Sequence, residues 1–462
     1  MKDEHTHGEL QRRLGTTGAL SANIIDMVGV GPFITLPLII SAMGGPQAML
    51  GWMLGALLSL ADGCIWAELG TTFPRAGGSY AYMRAAFPPR LGKVFAFIYA
   101  WQLLFSAPLS IASGCIGFAQ YASWFVPGFG HTAQTLLAIA ACVGCTALLF
   151  QPIGKIGGIT RVLGIVVIAT LVAVIAIGLT HFSSAQAFSF PAGAFHINGA
   201  FFNGLGAGLL IAAYDYWGYY NVCFLGGEVR NPQRTIPRAV LGSIAIVGTL
   251  YLLMNISVLG VLPWQALTHA DAGERQYTVA IFAQTAFARY PWAHAAASCA
   301  VVLIAIASLA SVFALLLGYS RIPYAAARDG NFPSIFGKLH PRHGFPVVSL
   351  LTLCGIAIIC CLFRLQEVIA SLVVLRILFQ FLLQGVAVLL PQHRRNRREQ
   401  GRFRMPLYPL PALIAMAGFL FILFSRPKIK SEFLLACFVL VTGLAVYAFK
   451  QRSDAHASPL KQ

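Results

Sequence analysis

Twelve runs of apolar residues, each long enough to cross a lipid bilayer, follow one another through this chain of 462 residues. A spanning helix needs about 20 such residues, because the hydrocarbon layer is about 30 Å thick and a helix rises about 1.5 Å per residue. The runs lie at roughly 18–43, 46–70, 91–121, 132–150, 158–181, 201–226, 236–262, 292–320, 345–363, 366–391, 406–425 and 431–449. Charged residues make up 10% of the chain, where a soluble domain carries about 25%. In hydrocarbon every backbone polar group must be satisfied inside the protein, so a spanning segment is a helix or part of a closed barrel. Runs of this length predict an all-α integral membrane protein of twelve transmembrane helices. Tyr277 to Tyr290 predicts one further short helix before the eighth span. The chain then divides into a tail (1–17), a membrane domain (18–449) and a second tail (450–462).

The basic residues orient these spans. With the N-terminus inside, 25 of the 32 Lys and Arg fall on one side of the membrane and 6 on the other, with Arg376 inside a span. Cytoplasmic loops are enriched in Lys and Arg, so both termini are expected in the cytoplasm, with the protein in the plasma (cytoplasmic) membrane. The net charge of +17 therefore requires no nucleic-acid partner. The cluster His393-Arg394-Arg395-Asn396-Arg397-Arg398 fits the same topogenic role, with contact to anionic lipid as the alternative. No cleavable signal peptide is evident. All ten cysteines lie within spans, where a buried thiol acts as a small packing group, so no disulfide-linked partner chain is expected. No nucleotide loop, dinucleotide fingerprint or metal-binding histidine pair is present, and neither cofactor nor enzymatic activity is expected.

Two spans are interrupted in the same way. The first reads Ile25-Asp26-Met27-Val28-Gly29-Val30-Gly31-Pro32, and the sixth reads Tyr214-Asp215-Tyr216-Trp217-Gly218. Each carries an acid three residues before a glycine. An acid is costly in hydrocarbon, and Gly and Pro weaken a helix. Paired helix breaks in equivalent halves point to the substrate site of a secondary transporter. If the first span opens at Gly29, the half-helix beginning near Val30 presents free N–H groups and a positive dipole end, which suit a carboxylate. The carbonyls ending the preceding half-helix suit an ammonium group. An α-amino acid carries both. The alternative for the first segment is a kinked packing helix. In the second, the Tyr and Trp rings either cover a substrate or form a core cluster. Asp26 and Asp215 are candidates to accept a proton, hold an ammonium group or cap a half-helix.

Two further buried charges, Asp62 and Arg376, are a possible structural ion pair. The segments closing spans two and six, Ala67 to Tyr80 and Gly226 to Ala239, each place a Glu at the span end and then Pro and Arg in a turn. Either they latch an inward gate through ion pairs, or they are hydrated turns that set topology.

At these residues the chain resembles the amino acid–polyamine–organocation superfamily of permeases. Gly29-Val30-Gly31-Pro32-Phe33 resembles the superfamily's first-span signature. Ala67-Glu68-Leu69-Gly70 with Phe73 to Gly78 resembles its second-span motif. Glu228-Val229-Arg230-Asn231-Pro232 with Ile236 to Ala239 resembles the stretch after its sixth span. Ser320-Arg321 through Gly330 with Pro346-Val347-Val348, and Arg404 to Pro409, resemble two later segments. The resemblance implies a five-plus-five inverted repeat (about 18–181 and 201–391) with two extra helices over 406–449. It implies carboxylate binding by the backbone of Val28, Gly29, Val30 and Gly31. Carbonyls near Ile25, Asp26, Met27, Tyr214 and Trp217 would hold the α-amino group, with Tyr214 as an aromatic gate. The chain departs from the usual pattern at Asp26, Pro32 and Tyr216, and residues 162–180 lack the lysine of some sodium-independent relatives. The extra acids favour proton coupling or a cationic substrate. The expected function is amino acid transport by alternating access, by proton coupling or exchange. A polyamine or cationic amino acid permease is the alternative, and a sensor or channel on this scaffold is the less favoured one.

Overall fold

The computed structural model describes residues 10–126, 128, 130–269, 277–363, 372–391, 402–426 and 429–457. Outside these residues fall the chain ends, the start of the expected tenth span and the basic cluster 393–398. Among the described residues there is no β-strand, only two isolated bridges.

In chain order, α1 (Thr16–Met27) and α2 (Gly31–Met43) form a pair bent by 45° at a break. α3 (Met49–Thr72), the short α4 (Ser79–Ala86), α5 (Pro89–Ala122), α6 (His131–Leu148) and α7 (Ile153–Thr180) follow. After the short α8 (Ser184–Ala187), α9 (Gly199–Tyr216) is separated by a second break from α10 (Asn221–Phe224). Then come α11 (Pro232–Leu259), α12 (Trp264–His269), α13 (Thr278–Ala286), α14 (Ala293–Tyr319), α15 (Arg321–Arg328) and α16 (Val347–Cys360). A π-helical turn (Ile377–Phe381) leads into α17 (Leu382–Leu389), and α18 (Leu410–Phe424) and α19 (Ile429–Ala457) close the chain. The short helix expected over 277–290 is α13.

Among the described residues, eight helical stretches are long and apolar enough to cross a membrane, or nine if the bent pair is one span. Val347–Cys360 and Leu410–Phe424 are shorter apolar helices. Polarity runs from inside to outside in the sense that suits lipid. Asn23, Asp62, Gln102, Arg376 and Gln384 are buried, while Leu57, Val162, Ile165, Leu179 and Phe449 are exposed.

Extensive helix pairings join α3 to α11 and α9, α5 to α14, α1 to α11 and α7, and α2 to α9. Glycines permit some of these approaches. A Cβ on Gly51 would meet the backbone of Gly208 at 3.3 Å, and one on Gly55 would meet the Ala212 Cβ at 2.8 Å. All ten cysteines are unbonded; the Cys142 and Cys354 sulfurs lie 3.8 Å apart where α6 meets α16.

At one end of the bundle the segment before α1 meets the segments that follow α3 and α10. The Leu14 N–H donates to the Glu228 carbonyl (2.8 Å), and the Arg230 N–H donates to the Leu14 carbonyl (2.8 Å). Ala76 bridges Leu225, and the Gln233 amide donates to the Thr71 carbonyl at 3.0 Å. These turns are locked together. Glu228 is 1% exposed and accepts two hydrogen bonds from the Arg321 guanidinium, at 2.9 and 3.0 Å. Glu68 accepts the Met405 N–H at 2.7 Å. The carboxylates at the span ends thus engage groups far away in sequence.

Asp62 and Arg376 do not pair. Asp62 accepts the Tyr219 hydroxyl at 2.6 Å, and Arg376 donates to the Tyr220 hydroxyl (3.0 Å) and to Ser110 Oγ (2.6 Å).

Candidate functional site

The first break follows from local chemistry. The Val28 N–H still bonds the Ile24 carbonyl (2.8 Å), but Val28 leaves helical geometry with ψ 74°. Pro32 falls in the first turn of α2, where its missing N–H costs no intrahelical bond. Among the described residues no backbone carbonyl accepts the N–H of Gly29, Val30 or Gly31. These donors, with the dipole of α2 behind them, give the break a positive face.

The second break turns on Gly218. Trp217 is extended (φ −60°, ψ 144°), and Gly218 has φ +124°, which favours glycine. A Cβ on Gly218 would lie 2.6 Å from the Met27 nitrogen and 2.7 Å from the Asp26 carbonyl carbon. The two breaks are therefore in direct backbone contact.

Three side chains stitch them together. Asn23 of α1 donates to the Tyr219 carbonyl and accepts the Val222 N–H at 2.9 Å. The Asn221 amide donates to Asp26 Oδ2 (2.7 Å) and to the Ala314 carbonyl (2.8 Å). The Tyr251 hydroxyl lies 2.8 Å from the Met27 carbonyl and 3.4 Å from that of Asp215. Asp215 itself reaches the start of α2. Its Oδ2 accepts the Thr35 hydroxyl, and a Cβ on Gly31 would fall 2.3 Å from its Oδ1.

Between the breaks lies a cavity with about 60 Å³ of room for the centres of water molecules. One water needs about 10–15 Å³ on this measure, so the space holds several waters or the head of a small zwitterion. Of the residues singled out from the sequence, Asp26, Met27, Gly29, Val30, Gly31, Tyr214, Asp215, Trp217 and Gly218 line it. Ile25, Val28 and Tyr216 are buried but lie outside this lining. Tyr216 packs edge-on to Trp52 at a centroid distance of 5.9 Å. The aromatic cluster is thus divided. Tyr214 and Trp217 face the cavity, with the Tyr214 hydroxyl 3.1 Å from Ser113 Oγ. Tyr219 serves Asp62, and Tyr220 stacks on Trp66 at 4.6 Å.

The other walls are Ser110, Ser113 and Gly114 of α5, Ser311 and Leu315 of α14, and Arg376. Sequence reasoning does not bring these to the site. The serines look like ordinary small residues at helix contacts. Arg376 carried the one usable signal, since an ionisable residue inside a span marks function by default.

A family model described as amino acid permease matches residues 14–445. The chain is 26% identical over 429 residues to the serine/threonine exchanger SteT of Bacillus subtilis, covering 90% of this chain and 91% of that protein. It is 24% identical over 443 residues to the branched-chain amino acid permease BcaP of Lactococcus lactis, covering 91% of each. It is 31% identical over 340 residues to an uncharacterized transporter of Mycobacterium tuberculosis, covering 73% of this chain and 71% of that protein.

Proposed function

The chain belongs to the amino acid permease family, and from that premise we propose that it carries a zwitterionic amino acid by alternating access, binding it between the two helix breaks. The carrying observation is that two interrupted helices meet backbone to backbone at Gly218 and enclose a cavity with unbonded N–H groups on one wall. In this reading the N–H groups of Gly29, Val30 and Gly31 hold the substrate carboxylate. Asp26 and Asp215, with the carbonyls that end α1 and α9, face the ammonium group. Tyr214 and Trp217 form the wall that moves when the site opens.

The proposed architecture has twelve spans, five pairing with five in inverted order and two following. The pairing of α2 with α9, α3 with α11 and α5 with α14 supports it, because each joins a span to its counterpart five spans later. The termini are placed in the cytoplasm and the protein in the plasma membrane, on the asymmetry of Lys and Arg. Coupling is proposed to be proton symport or exchange, with Asp26 and Asp215 as the proton-carrying candidates. Arg376 in the lining weighs against a polyamine, because a guanidinium repels a second ammonium group in so small a space.

The test is uptake of radiolabelled amino acids and polyamines by proteoliposomes. Wild-type protein is expected to transport at least one amino acid. Gly29→Leu is expected to lower that uptake at least tenfold with normal membrane insertion, since even a Cβ there meets Ser311 Oγ at 3.0 Å. Undiminished uptake by the leucine variant, or transport of polyamines alone, would count against the reading.

A further inference from the structure

Arg376 is 3% exposed. Its two terminal nitrogens donate to neutral hydroxyls, those of Tyr220 (3.0 Å) and Ser110 (2.6 Å). The rings of Tyr319 and Trp217 lie 5.0 and 5.7 Å from its guanidinium carbon. Its Nε is buried and has no hydrogen-bond partner, and no carboxylate among the described residues forms an ion pair with it. A guanidinium stays charged in a protein. Burying that charge without a bonded anion is costly, and the hydroxyls, the ring faces and the more distant Asp26 of the same cavity lining offset only part of the cost.

The same cavity contains a second unmet group. Asp215 Oδ1 is buried without a hydrogen-bond partner, whereas Asp26 is bonded by Asn221. Asp215 also lies against Gly31, so a substrate carboxylate at the start of α2 meets a resident carboxylate beside it. An ionised Asp215 and a substrate carboxylate facing one cavity repel unless a positive charge offsets them.

We propose that Arg376 supplies that charge: its guanidinium holds the carboxylate of the transported amino acid and is the group by which the site tells an amino acid from a ligand lacking a free carboxylate. This rests on the reading of the cavity as the substrate site. The Tyr220 and Ser110 hydroxyls hold the planar fork in place. That leaves three of its five N–H groups, the unpartnered Nε–H among them, for the incoming carboxylate. The backbone N–H groups of Gly29 to Gly31, in the same lining, act on that carboxylate too, and Asp215 Oδ1 accepts from the ammonium group.

Purified wild-type protein is titrated with each of the twenty protein amino acids, and whichever binds is compared with its own methyl ester. The ester keeps the side chain and ammonium group but removes the carboxylate charge. If no amino acid binds, the substrate-site reading itself fails. If amino acids bind and their esters bind equally well, that reading stands and the role of Arg376 is overturned. The expected result is at least tenfold discrimination in the wild type, as befits a charge-assisted hydrogen bond, reduced at least threefold in Arg376→Gln, the backbone N–H groups keeping the remainder. Discrimination undiminished in Arg376→Gln overturns the proposal. Should that variant not fold, Ser110→Ala removes one of the two hydroxyls that fix the fork. It is expected to narrow the ratio severalfold, and an unchanged ratio overturns the proposal.

Discussion

At Gly218 two requirements coincide: a φ of +124° and the absence of any room for a Cβ beside Met27 and Asp26. Gly218→Ala should therefore strain the second break and push it from the first. The cost is expected to be about 1–3 kcal/mol, read as a lowered thermal unfolding temperature, with loss of transport. Gly144→Ala is the control, since nothing lies within 4 Å of a Cβ there. A similar fall in both variants would contradict the contact between the breaks. Asp215→Asn tests the neighbouring acid. It should abolish or strongly alter uptake with normal insertion into the membrane; unchanged kinetics for every substrate would remove Asp215 from the site. The positions of these two residues at a break are legible in the sequence, because glycine, proline and a lone acid in an apolar run act locally. Their partners are not. Thr35 reaches Asp215 across 180 residues of chain, and Asn221 reaches Asp26 across 195. Nothing in the spacing of Asp62 and Arg376 reveals that each bonds a different tyrosine of the second break.

The helices themselves are legible because hydrocarbon demands length and hydrophobicity of every span. Local detail is less so. The aromatic run from Tyr214 to Tyr220 reads as one cluster, yet the kink at Trp217 and Gly218 sends its rings to different neighbours. The segments after α3 and α10 each read as a charged turn. In the structure they form one packed unit, fixed to α15 by Glu228 and Arg321, both almost fully buried. Glu228→Gln leaves the Arg321 charge without its anion and should lower stability by about 3–5 kcal/mol. Replacing both, as Glu228→Gln with Arg321→Met, should restore part of the loss. The check is thermal unfolding in detergent, and equal unfolding temperatures for the single variant and wild type would contradict a structural role for the pair. If this end of the bundle closes one side of the pathway, the single variant should also change the transport rate.

Across the described residues, the fold buries polar side chains such as Asn23, Asp62, Gln102 and Arg376 within a largely apolar interior, and it joins the two broken helices at Gly218. The proposed orientation puts both termini in the cytoplasm. A green fluorescent protein fused at the C-terminus in a bacterial host should then fluoresce, and a dark but fully translated fusion would reverse the topology. α2 packs on α9 and α5 on α14 beside the cavity, and α3 packs on α11. The most direct measurement is an experimental structure of the protein with a transported amino acid bound. Density for the ligand is expected between Gly29–Gly31 and Tyr214–Gly218, its carboxylate toward the start of α2 and toward Arg376. Ligand density elsewhere, with this space empty and both helices unchanged, would contradict the account.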